Sequence, residues 1–139
     1  MAKTLAAQRD QARAQLGDES IEAAIPALSY RHRNEWWRLL NRFLPVPPKS
    51  QPRLLLFRSD HVDLHAQRFS KNNVGEKLAR FLPTDSRLVF VEDTREGSSH
   101  IEFGGLRLTV LDEHMKALYQ MARQSGFPID ADADPRSAD

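Results

Sequence analysis

The stretch HIEFGGLRLTVL, residues 100–111, constrains the fold more than any other part of the chain. Two runs of alternating apolar and polar residues flank Gly104-Gly105, and paired glycines tolerate the positive φ angles of a tight hairpin turn. The resulting register sets Phe103 opposite Leu106 and Ile101 opposite Leu108 on a buried face. It sets Glu102 opposite Arg107 on the other face, a complementary pair. A chain that holds this hairpin contains an antiparallel sheet, and the remaining segments have to complete its core.

RLLLF at 53–57 is dense enough in apolar residues to be a strand. The following RSDHVDLHAQRF reads in two ways. As a hairpin arm turning at Ser59-Asp60, it places Val62 and Leu64 beside Leu55 and Phe57. As a helix capped by Asp60, it makes a stripe of Val62, Ala66 and Phe69. Period two fits Val62, Leu64 and Ala66 better and favours the strand. RLVFVED is apolar at successive positions from Leu88 to Val91, a pattern expected in the middle of a sheet. NVGEKLARFLP reads as a helix, with Asn73 and Glu76 at capping-box spacing, a stripe of Val74, Leu78, Phe81 and Leu82, and Pro83 as its stop. Asp112 is placed to cap a last helix with Met115, Leu118, Tyr119 and Ala122 inward, ending near Gly126.

The front of the chain reads as helical. Residues 3–16 carry a thin stripe of Leu5, Ala12 and Leu16 with Gly17 as the stop, a helix that buries little and is either loosely docked or awaiting a partner. Asp18, with Glu19 and Glu22 in a first turn, opens another helical segment that Pro26 interrupts, and Ala27–Leu44 continues the pattern. PVPPKSQP then places four of the eight prolines within residues 45–52, which makes an extended connector. The expected architecture is α+β: a small antiparallel or mixed sheet of 3–5 strands, helices mainly on one face, and a helical N-terminal segment before it. The divisions are 1–44 helical, 45–52 connector, 53–127 core and 128–139 a disordered acidic tail.

The 139 residues suffice for one domain with a hydrophobic core. No cysteine is present, so disulfides and thiolate sites are excluded. The start, MAKTLAAQRDQARAQ, holds no apolar core of a signal peptide, and no run approaches the roughly 20 apolar residues of a membrane helix, so the cytoplasm is the expected compartment. Net charge is only +1, but residues 1–70 carry 11 basic against 7 acidic residues while 71–139 carry 9 against 12. That asymmetry leaves the front half mildly basic.

Three groups of residues could carry chemistry. RHRNEWWRLLNRF interleaves Arg31, Arg33, Arg38 and Arg42 with aromatics, as nucleic-acid binders do, though the same spacing suits an amphipathic helix with Trp36 and Phe43 in the core. Adjacent Trp36 and Trp37 cannot share one spot, which leaves Trp37 for an interface. HVDLH offers His61, Asp63 and His65 as weak metal ligands. The general-base position of the zinc-protease motif is Val62, however, and a third ligand would have to come from His100, Glu102 or His114. Two imidazoles on a solvated sheet face are the simpler expectation, and no metal is expected there. His100, Glu102, Arg107 and Thr109 line the hairpin's outer face, where a half-buried sheet is ordinarily polar. No G-x-S-x-G, Walker loop or dinucleotide fingerprint occurs, so no cofactor is expected. The leading expectation is therefore a non-enzymatic interaction module, an adaptor, regulator or subunit that associates with another protein or with itself. The alternatives are a nucleic-acid-binding accessory protein using 31–44 and a metal-dependent hydrolase using His61 and His65.

Overall fold

The computed structural model describes residues 4–29, 51–68, 74–131 and 134. Helix α1 (Leu5–Leu16) is followed by β1 (Ala23–Ser29), β2 (Gln51–Phe57), β3 (Val62–Gln67), β4 (Val74–Phe81), β5 (Leu88–Asp93), β6 (Ser98–Phe103) and β7 (Leu106–Leu111). Helix α2 (Asp112–Gln124) and a two-residue β8 (Ile129–Asp130) complete the order. Among the described residues the strands form one sheet in the order β4-β3-β2-β1-β7-β6-β5-β8, with every pairing antiparallel except β5 with β8.

This corrects the expected fold. The sheet has eight strands, not three to five, and only two helices accompany it among the described residues. Nor do the helices share one face. Met115, Leu118, Tyr119 and Ala122 of α2 join a cluster with Leu55, Phe57, Val62, Leu64 and Phe103, whereas Ala12 of α1 joins Leu54, Leu56, Ile21, Ala24 and Val74. Because β2 is covered on both faces, Leu54 to Phe57 are all buried, and its sequence is a continuous apolar run instead of an alternation.

Of the helical front end, Leu5–Leu16 is helix as read, but the part that follows is overturned where it is described. Asp18 sits in a turn, accepting from the backbone N–H of Ser20, and Ala23–Ser29 is a central strand paired with β2 over all seven residues. Pro26 is tolerated there because β7 pairs with β1 only at Leu28 and Ser29, so no second neighbour needs the missing N–H. Most of the Ala27–Leu44 helix expectation falls outside the described residues. Within NVGEKLARFLP, Val74–Phe81 is strand β4, not a helix. Its ladder with β3 shifts register on either side of His65, and its buried apolar residues Val74 and Phe81 belong to separate clusters, not to one stripe. Leu78, placed in the helical stripe, is exposed. β5 lies next to the last strand, not mid-sheet, and only Leu88 and Val89 are paired on its outer side, which leaves Val91 exposed. Leu106, expected on the buried face, is likewise exposed.

Other expectations match. α1 ends at Gly17 in the left-handed region, and the α2 stripe is buried as read. β2 and β3 form the hairpin pairing Leu55 with Leu64 and Phe57 with Val62. The β6–β7 hairpin has the expected register, with Gly104 and Gly105 both at positive φ. The expected cap is corrected: Leu111, not Asp112, occupies the N-cap of α2, and Asp112 is its first residue, its carboxylate accepting from the Ser99 hydroxyl at 2.7 Å.

The sheet rolls on itself. Phe81 of β4 and Phe103 of β6 have ring centroids 5.0 Å apart, although β4 is first and β6 sixth in the order. In a flat sheet those strands would lie about 24 Å apart at ~4.8 Å per strand. A Cβ at Gly104 would strike the Phe81 ring, so the hairpin tip presses on β4 as closely as a residue without a side chain permits. Phe103 also meets Phe57 and Phe127, at 6.3 and 5.1 Å. Beyond α2, Pro128 accepts from Leu88, and buried Asp134 accepts a hydrogen bond from the Tyr119 hydroxyl.

Candidate functional site

HVDLH lies at the start of β3. Asp63 faces Leu56 and His65 faces Leu54 across the ladder, so both side chains lie on the α1 side of the sheet. Asp63 is buried, yet both its oxygens are occupied. Arg58 Nη1 donates to Oδ2 at 2.7 Å, and Arg80 Nε donates to Oδ1 at 2.9 Å. The remaining edge of Arg58 donates through Nε and Nη2 to Asp18 Oδ2 at 3.0 and 2.8 Å. The result is a line of alternating charge, Arg80–Asp63–Arg58–Asp18, that ties β4, β3, the end of β2 and the turn after α1 together.

Burial alone would raise the Asp63 pKa, but the Arg80 hydrogen bond and the Arg80 and Arg58 charges outweigh it and hold the carboxyl below its ordinary value. The Ser20 hydroxyl and Arg58 hold Asp18 well below the carboxylate range. Both groups stay ionised with their lone pairs engaged, which suits a fastening and not a proton acceptor.

The two histidines do not converge. His61 Nδ1 lies 2.6 Å from Asp60 Oδ1, with Nε2 buried 3.6 Å from Asp63 Oδ2. His65 turns Nδ1 to the Gly75 carbonyl at 3.0 Å. Among the described residues no group of three or more His, Asp or Glu side chains is arranged to hold a metal ion. Arg31, Arg33, Trp37, Arg38 and Arg42 lie outside the described residues.

A second constellation forms on the outer face of the β6–β7 hairpin. Glu92 pairs with His100, His100 with Thr109, and Thr109 with Leu28, a row crossing β5, β6, β7 and β1. His100 Nδ1 is 2.9 Å from Thr109 Oγ1. This row floors an open basin of about 460 Å³ whose wall is the β5–β6 turn, carrying Asp93, Thr94, Arg95, Glu96 and Ser98. The turn is internally braced. Asp93 accepts from the Arg95 N–H at 2.8 Å, Thr94 bonds Ser98, and Arg95 takes a left-handed φ of 64°. Three carboxylates against one guanidinium make the basin acidic. Glu102 and Arg107 form an ion pair on the same hairpin, at 3.2 Å.

Sequence reasoning put His100 and Thr109 on this face but missed Glu92, Asp93 and Glu96. A register shift between Phe90 and Glu92 brings Glu92 opposite His100, which strict alternation does not foresee. The legible signal was EDTREGS, an acidic turn between two strands. Compared with known proteins, the chain matches no family model and no curated sequence. No helix among the described residues is long and apolar enough to cross a membrane.

Proposed function

We propose that this protein is a non-enzymatic interaction module that receives a cationic segment of a partner protein in the basin above Glu92, His100 and Thr109. The observation carrying this reading is the basin itself. Its volume of about 460 Å³ lies in the size range of ligand-binding clefts, and its floor is fixed by four hydrogen-bonded strands. The three carboxylates that line it favour Arg or Lys side chains, and Leu28 offers an apolar contact for their methylene stems. The polar features elsewhere suit a scaffold: Asp63 is saturated by arginines, and His61 and His65 are each anchored locally.

The test is fluorescence anisotropy with short labelled peptides carrying Arg or Lys, set against charge-reversed peptides of the same length. Binding of the basic peptides is expected to weaken as salt rises and to fall roughly tenfold in Glu92→Gln/Glu96→Gln, with melting unchanged. Equal binding of acidic and basic peptides, or no effect of the double substitution, would remove the basin from the reading.

A further inference from the structure

Helix α1 is held unlike α2. Its buried residues are Gln8 and Ala12, Leu5 is partly buried, and Leu16 is exposed. Yet it lies over an apolar patch of Ile21, Ala24, Leu54, Leu56 and Val74, all at most 5% exposed. Its seat is made largely by polar latches. Arg13 Nε donates to the Ile21 carbonyl at 2.7 Å. The Gln15 amide makes two bonds to one residue, donating to Val74 O at 2.6 Å and accepting from Val74 N at 2.9 Å. That is the donor–acceptor pair a neighbouring strand would offer, applied to the first residue of β4, which pairs on one side only with β3. Just past the Gly17 cap, Asp18 engages Arg58.

We infer that α1, with the turn through Asp18, is a releasable strap that detaches as a unit from an otherwise intact sheet. Its release uncovers Leu54, Leu56 and the backbone of Val74 at the β4 edge. Two observations support it. The helix's own side of the contact is small, with Gln8 and Ala12 its buried residues, so most of the apolar area hidden by docking belongs to the patch. The part-buried polar latches add modestly because water replaces them on release. The sheet below is fastened independently, since β1–β2 and β2–β3 pair over most of their lengths and Asp63 retains both arginines without Asp18. This inference does not rest on the basin.

Native-state hydrogen exchange of the full chain in sub-denaturing urea tests it. Amides of Gln8–Leu16 are expected to exchange through an opening with weaker urea dependence than those of Leu54–Phe57 and of α2. Gln15→Ala and Asp18→Asn, made separately, are expected to speed α1 exchange roughly tenfold while leaving α2 unchanged. If α1 and β2 amides exchange together at every urea concentration in the unsubstituted protein, α1 is an inseparable part of the core and the inference falls.

Discussion

A buried carboxylate between two guanidinium groups is a commitment made at one position. Replacing Asp63 by Asn keeps the shape but leaves Arg58 and Arg80 without their shared counter-charge. The expected loss is about 3 kcal/mol, at the low end for a broken buried pair because Arg80 is half exposed and rehydrates. Urea denaturation at pH 7 measures it as a lower midpoint with an unchanged slope. The pH dependence has a definite sign. The folded-state pKa of Asp63 lies below the ordinary 3.8, so its contribution is fully present above that value and is lost as pH falls through the folded pKa. Stability of the unsubstituted protein should therefore drop as pH falls below about 4, and Asp63→Asn should drop less over the same interval. Equal acid sensitivity in both would show that the load sits on other carboxylates, Asp18 first among them.

At the scale of the element, legibility followed how local the determining forces are. The turn and register of the β6–β7 hairpin were readable, because two glycines and the flanking alternation set them within twelve residues, although the exposure of Leu106 was not. α2 was readable because its stripe faces one cluster. β4 was not: its register shifts against β3 and the approach of Phe81 to Phe103 are settled by distant residues, and its local pattern imitates a helix. β1 hid for the same reason, its acidic lead-in and Pro26 reading as a helix start and interruption while its partner β2 lay beyond the prolines. Of the candidate site, the hairpin's His100 and Thr109 were legible, but the carboxylates across the sheet were not. One readable element also allows a quantitative check. Glu102 and Arg107 are opposed, each with its side chain about one-third exposed. Reversing either charge alone should cost up to about 1 kcal/mol, and reversing both should restore stability to within ~0.5 kcal/mol in a double-mutant cycle.

Taken whole, the molecule is a sheet rolled until β4 meets the β6–β7 turn, with Phe103 touching rings from β2, from β4 and from the segment after α2. Within it, Ser29 and Gln51 are register partners at the ends of β1 and β2. The 21 residues numbered 30–50 therefore begin and end at adjacent strand ends. In polymer terms they are a closed ring whose two ends must be held together. Holding them costs more entropy than a two-residue turn by about 2 kcal/mol, from (3/2)RT ln(21/2). Replacing residues 30–50 by Asn-Gly should thus stabilise the sheet by about that amount in urea denaturation, with β1–β2 pairing retained. No gain in the urea midpoint, or loss of the β1–β2 pairing, would show that closure entropy does not set the cost of this connection.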